Sequence, residues 1–453
     1  MGMSLNWRKN RIENVSGLPL RREVRDLLYD SRKLIDMKMK IIVLVFIYLG
    51  HIACCPPWQV CAEDNQGEED VKLDLPYDII WQTSLFNDTN YSISFVKPIL
   101  FEDVVIFSRR KGPKLSVELV AYDKRSGEVR WEWTKEVRNL VFTDDPIVLN
   151  DTLVVVSGSQ IYLIDMRTGR TIAEINEEID TNFVPISPIS YYGGRIYQSY
   201  EREFKDSLTY VRSVDLKTFR WRTEVIDYTT YPGDRLSVYP PSIWINEHGD
   251  TIFVCLKRIY NYEDIGRKRA NLISYNVTAD TVLWEVEKID RVGSNDRPPH
   301  IDGDRIYFIG TRHVECIDKH TGETIWKTRA VDDRGDLLVS TPIYTDDTIF
   351  LNSSNWYLIA IDKESGRRLY YRKMTGQGIY MTLYKGRIYR ARVKLDVIDA
   401  KSGRVLLTIK KSHNYSRRTP GKWWNGVVID PETELMYVED GFFAMCLTLP
   451  KVE

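Results

Sequence analysis

The sequence predicts an all-β chain, and more narrowly an eight-bladed β-propeller of four-stranded antiparallel blades. Three observations carry that reading. Apolar residues alternate with period two in short runs broken by Gly, Asp, Asn and Pro clusters. Strand-favouring aromatics are abundant, with 27 Tyr and 12 Trp among 453 residues. A turn phrase recurs, its first residue falling at Asp123, Asp165, Asp215, Asn276, Asp318, Asp362 and Asp399, at separations of 42, 50, 61, 42, 44 and 37 residues. That spacing suits a blade made of two hairpins.

Within the phrase, as in "VAYDKRSGEVRW" and "VECIDKHTGETIW", the leading Asp can accept hydrogen bonds from its own backbone just downstream. Gly127, Gly169, Gly322, Gly366 and Gly403 supply the positive φ of a bulged hairpin. A second phrase precedes each hairpin, for example "RPPHIDGDRIYFI" and "STPIYTDDTIFLN": a Pro-marked strand start, a polar turn and another strand. Seven of the hairpins are visible. "YDIIWQTSL" at 77–85 is a lone outer strand, and "NGVVIDPETELMYVEDGFFAMCLTL" at the other end offers three strands lacking a fourth. Joining the two closes the ring as an eighth blade and leaves no sheet edge exposed; seven blades is the competing count.

The segments ahead of the repeats read as an address. Residues 1–36 are a polar extension, and Met37 or Met39 is an alternative start. Residues 37–62 place two lysines before an apolar run from Ile41 to Gly50, short for a membrane span but right for an export signal. Three outcomes stay open: cleavage after "VCA" at 60–62, lipidation at Cys54, or retention as a signal anchor. Each exports the rest of the chain, so the expected location is extracytoplasmic, whether secreted, periplasmic or tethered to the envelope through 37–62. Residues 63–76 are an acidic linker and 77–450 the propeller. Cys255, Cys316 and Cys446 are too widely spaced for a disulfide framework or metal cluster and read as buried strand residues.

"AYDKRSGEVRW" and "CIDKHTGETIW" resemble the docking motif of the pyrroloquinoline quinone (PQQ) type of eight-bladed propeller, Ala-x-Asp-x-x-x-Gly-Lys-x-x-Trp. In that family the closing Trp docks on the neighbouring blade, and the resemblance assigns this role to Trp81, Trp131, Trp284, Trp326 and Tyr370. Blades 2 and 3 depart from it, with Ala173 in the docking place and Phe219 in the Gly place. The enzymes of the family hold PQQ beneath an adjacent-cysteine disulfide, with calcium on Glu, Asn and Asp. Here the only adjacent pair, Cys54 and Cys55, precedes the propeller. The resemblance therefore points to the non-enzymatic branch, which includes the propeller lipoprotein of the outer-membrane-protein assembly machine, with no catalytic residues, no cofactor and no metal expected.

With 63 basic and 64 acidic residues, no global charge favours nucleic acid. His320 and Glu323, in a turn where sister units carry Arg, Glu or Lys, read as solvated turn residues. The function falls to long inserts at 226–241, 257–271, 288–299 and 410–426. The last holds Arg417, Arg418, Lys422, Trp423 and Trp424, the residue types of protein-contact hot spots, weighed against a Trp that simply covers its own blade. The expected function is a monomeric, envelope-located protein-binding scaffold, with membrane association only through the N-terminal segment. A PQQ-dependent dehydrogenase and a glycan or peptide sensor are the alternatives.

Overall fold

The computed structural model describes residues 76–452 except 86–90, 94–96, 112–115, 136–145, 158–159, 177–182, 203–207, 229–233, 262–268, 291–296, 333–336, 338–341, 375–379, 392–393, 410–425 and 440–442. The extension, the export segment and nearly all of the linker lie outside the described residues, as do Cys54 and the Arg417, Arg418, Lys422, Trp423 and Trp424 cluster.

Eight antiparallel sheets follow one another along the chain, each an ordered meander of four strands. Blade 5 shows the unit: His300–Asp302, Arg305–Ile309, His313–Asp318 and Thr324–Arg329, paired in chain order. In blades 1 and 4 the innermost strand is split in two by Pro98 or by Pro240 and Pro241, residues with no N–H to give the ladder. The eighth blade is built from both ends. Val428–Ile429, Leu435–Glu439 and Phe443–Thr448 come from the end of the chain, and Ile79–Ser84 pairs on the last of them with Trp81 opposite Cys446. The splice continues past the strands, with Thr448 N–H donating to Asp78 O at 2.9 Å and Lys451 N–H to Pro76 O at 2.9 Å.

The buried apolar residues fall into eight clusters, and each lies between two neighbouring blades. Leu119, Trp131 and Trp133 of blade 1 meet Leu153 and Tyr162 of blade 2, and Trp81 and Tyr437 of blade 8 meet Val105 and Tyr122 of blade 1. The closing seam is thus an interface like the others. Among the described residues the seams are unequal: five buried apolar residues join blades 3 and 4, whereas eleven join blades 1 and 2. Apolar burial is the main stabilising term, and these described residues contribute least of it at the 3/4 seam. Polar contacts cross it instead, among them Lys257 Nζ to Asp227 at 2.6 Å and Val238 N–H to Thr209 Oγ1 at 3.3 Å.

Why five of the repeat turns carry Gly is a matter of neighbours as well as of φ. The position four after the leading Asp or Asn is left-handed in all seven turns, including Phe219 at φ 56° and Asp280 at φ 54°. A Cβ added at Gly127 would lie 2.6 Å from the Trp81 ring, at Gly169 2.6 Å from Trp131, and at Gly322 2.7 Å from Trp284. Trp326 covers Gly366, and Tyr370 covers Gly403, in the same manner. The two turns without Gly face blades whose residue in the ring's place is Ala173 or Thr223. With no ring to receive, a side chain is tolerated there, and Phe219 is 45% exposed.

The expectation of long loop inserts is corrected in part: residues 257–261 and 269–271 belong to a long hairpin, Thr251–Asn261 paired with Arg269–Asn276, and residues 226–228, 234–238 and 288–290 are strand as well. Alternation in "KRIYN" and "RANLISYN" continues the ladder, so the chain lengthens the blade before it loops.

Candidate interaction surface

In a four-stranded meander the turns joining strands 1 to 2 and 3 to 4 share one end of the blade, and the remaining connections share the other. The first face is fully described, and its turns are locked. Asp318 Oδ1 accepts the N–H of His320 at 2.9 Å and of Thr321 at 2.8 Å. Asp123 does the same for Arg125 and Ser126, at 2.9 and 2.8 Å. The Ser126 N–H, with Arg130 beside it, draws the Asp123 carboxyl down to about 2, and Asp165, Asp215, Asp318, Asp362 and Asp399 are shifted in the same direction by their own turn hydroxyls and N–H groups. His320, half exposed, touches Asp304 at 3.3 Å and lies edge-on to Trp244 at 5.3 Å. Glu323 is likewise at the surface of its turn.

The docking residues sit just behind this face. Trp81, Trp131, Trp284 and Tyr370 are each under 9% exposed. Each donates to the carbonyl of the residue after the next blade's turn Asp: Trp81 to Lys124 O at 2.8 Å, Trp131 to Met166 O at 2.9 Å, Trp284 to Lys319 O at 3.0 Å and Tyr370 to Ala400 O at 3.0 Å. Trp326 differs. The equivalent carbonyl, Lys363 O, accepts from Tyr307 at 3.3 Å, and among the described residues Trp326 Nε1 has no partner. The lysines after the turn Asp clamp the inner rim: Lys124 pairs with Asp430 at 3.1 Å, Lys319 with Asp304 at 3.1 Å, and Lys363 with Asp302.

The opposite face carries all the connections between blades and between second and third strands, and just beneath it lie buried polar side chains. Arg390 Nε donates to Asn352 at 3.0 Å, and its guanidinium lies 3.5 Å from Asp396, which accepts from Thr408 at 2.7 Å. Glu315 takes Lys327 at 2.7 Å. Asn352, the first residue of the Asn-x-Ser/Thr triplet Asn352-Ser353-Ser354, is 1% exposed and closed to modification in the folded chain.

One recess near this face has a chemical character of its own. It measures about 250 Å³ and lies between the inner strands of blades 5 and 6, lined by Arg297, Pro298, Pro299, His300, Tyr307, Ile309, Pro342 and Tyr344. His300 stacks on Tyr344 with ring centroids 3.8 Å apart and planes 17° apart. Burial, reinforced by Lys363, holds the His300 imidazole below its ordinary range against the pull of Asp302. Sequence reading missed this group because its members sit one repeat apart. The available signal was a proline followed closely by a ring in both inner strands, Pro299-His300 and Pro342-Ile343-Tyr344.

No group of three or more His, Cys, Asp or Glu is placed to hold a metal among the described residues. Cys255, Cys316 and Cys446 are single, buried and free, in blades 4, 5 and 8. The turn carboxylates already accept backbone N–H groups.

Fold and docking turns together define an eight-bladed β-propeller of antiparallel blades. Residues 268–417, about a third of the chain, match the family model described as outer membrane protein assembly factor BamB. Among solved structures, the chain is similar to a europium-containing methanol dehydrogenase, at 10% identity over 85% of this chain and 95% of that one, with a TM-score of 0.58. The quinohemoprotein alcohol dehydrogenase from Comamonas testosteroni gives 9% identity, 83% and 77% coverage and a TM-score of 0.59. A computationally designed protein, Ika8, gives 9% identity, 78% and 99% coverage and 0.53. At such identities these likenesses define the fold alone. No curated protein sequence shows a significant match.

Proposed function

We propose that the chain is a non-enzymatic protein-binding scaffold of the cell envelope, with the connection-bearing face as its contact surface. The observation that carries this is the division between faces. One end of the blades is taken up by capped turns, with docked rings at five of the seams and clamped lysines at three of the turns. The other gathers the connections over a ledge of paired polar groups. Surface loops held by a rigid scaffold are where binding residues concentrate.

The family match supports the reading, since residues 268–417 run from blade 4 to the edge of the Arg417 to Trp424 segment and carry the description of an outer-membrane assembly factor. The partner is then an envelope protein, the propeller acts as a monomer, and residues 37–62 deliver it across or tether it to the membrane.

Cross-linking pull-down from envelope extracts tests this. Trp423→Ala/Trp424→Ala should lose partners that the wild type captures, and an unchanged set sinks the assignment. The dehydrogenase alternative predicts saturable binding of PQQ with calcium at micromolar concentrations, which the scaffold reading excludes.

A further inference from the structure

We infer that the groove on the outer wall between blades 6 and 7 is a docking site for an acidic segment of a partner protein; the inference rests on the scaffold reading above for the occupant being a protein. Charge is distributed unevenly along the chain. Totals of 63 basic and 64 acidic residues nearly cancel, yet residues 368–429 hold 15 Lys and Arg against two Asp and no Glu. That stretch runs from the outer strand of blade 6, Arg368–Lys373, through blade 7 to the first strand of blade 8.

Both Asp are occupied. Asp396 is buried 3.5 Å from Arg390 and accepts from Thr408 at 2.7 Å. Asp399 accepts the Ser402 N–H at 2.7 Å and the Ser402 hydroxyl at 2.5 Å. Three cations of the stretch are paired: Arg368 with Asp332 at 2.8 Å, Arg390 with Asp396, and Lys385 with Glu434. Arg372, Lys373, Lys401 and Arg404 are exposed, and none of them forms an ion pair with a carboxylate among the described residues. Lys401 and Arg404 act on Asp399 only at longer range.

Three of those four cations line one groove of about 650 Å³. Arg372 and Lys373 of blade 6 form one wall, and Ser402, Gly403, Arg404 and Val405 of blade 7 form the other. Arg372 Nε approaches Ser402 O at 3.5 Å, which holds the guanidinium at the seam. The chain segments that follow the two walls, 375–379 and 410–425, contain no Asp or Glu and bring no carboxylate with them.

Cations on two walls call for an anion that enters between them. A flat bilayer surface meets only the crests, whereas an extended acidic chain lies in the groove and presents carboxylates to both sides. Arginine forks take carboxylates through paired N–H groups. Val405, 41% exposed in the wall, offers the methylenes of a Glu side chain an apolar contact. The groove extends the contact surface from the connection-bearing face onto the outer wall of blades 6 and 7.

The experiment uses the full chain and labelled hexaglutamate, titrated by fluorescence anisotropy, with the matching glutamine peptide as the neutral probe. Hexaglutamate should bind saturably and more weakly as salt is raised, and the glutamine peptide should not bind. Lys373→Gln/Arg404→Gln should weaken binding about tenfold, the effect of two exposed charge contacts. Lys385→Gln is the control: it removes the same charge from the same blade, but from a lysine already held by Glu434, and it should change binding by less than about twofold. All three substitutions are at exposed positions, and an unchanged urea midpoint verifies the fold. Absence of saturable binding, or equal losses in Lys385→Gln and the groove variant, overturns the inference. Co-sedimentation with phosphatidylglycerol vesicles that depends on Lys373 and Arg404, in a chain that ignores hexaglutamate, also overturns it and gives the groove to a membrane surface. Pull-down separates the inference from the reading beneath it. Envelope partners captured by the wild type and retained in full by the groove variant overturn the inference and leave the scaffold reading. A wild type that captures no partner yet binds hexaglutamate through Lys373 and Arg404 removes the scaffold reading and leaves the groove as an acidic-peptide site.

Discussion

Gly169→Ala tests the pairing of ring and glycine that links successive blades. Its φ is +68°, a conformation that costs an L-residue about 1–2 kcal/mol. An alanine Cβ would also lie 2.6 Å from the Trp131 ring, which cannot retreat without breaking its hydrogen bond to Met166 O. Overpacking of this kind adds about 1–3 kcal/mol, for a total of about 2–5. Gly303 is the control: its φ is +57° and nothing lies within 4 Å of the added methyl, so Gly303→Ala should cost the strain alone, about 1–2 kcal/mol. Urea unfolding followed by far-UV circular dichroism gives both values, read from midpoints at constant slope. In a Trp131→Ala background the cost of Gly169→Ala should drop to that of the control, a coupling of about 1–3 kcal/mol. Equal costs in the two backgrounds, or equal costs at Gly169 and Gly303, would refute the reasoning and leave φ as the whole reason for the glycines.

Three further outcomes are expected. The six turn Asp carboxyls have lowered folded-state pKa values, so their stabilisation is complete above the unfolded value of about 4 and is lost as pH falls toward 2. The urea midpoint should decline across that window and decline less in Asp123→Asn, and a flat profile contradicts this. Deleting residues 77–85 removes the fourth strand of blade 8 and bares the Phe443–Thr448 edge, so light scattering should show self-association; a stable monomer counts against the closure as described. Amide exchange should be fastest along strands meeting at the 3/4 seam, with five buried apolar residues among those described, and slower at the 1/2 seam with eleven. Uniform protection around the ring removes the ranking.

The repeat was legible because its turn is local chemistry: an Asp oxygen and a left-handed residue four positions on leave a mark in a single hairpin. The eighth blade was legible as two incomplete ends, and the structure joins them through Trp81 and Cys446. The meaning of Phe219 was not, because a turn read alone looks deficient without its Gly. Only the neighbouring blade shows that Ala173 has no ring to place there. Blade 4 hid its long strands in polar, aromatic-rich sequence that resembles loop. The recess was hidden for a geometric reason: His300 and Tyr344 belong to different periods, and a period says nothing about the gap between blades. The Arg417 to Trp424 cluster and Cys54 lie outside the described residues.

The division of faces is tested most directly by site-specific photo-cross-linking in intact envelopes. A photoreactive residue at Trp424 or Arg297 should give discrete adducts with partner protein, while one at His320 or Arg367, on the capped-turn face, should give none. Adducts from the turn positions alone would contradict the account.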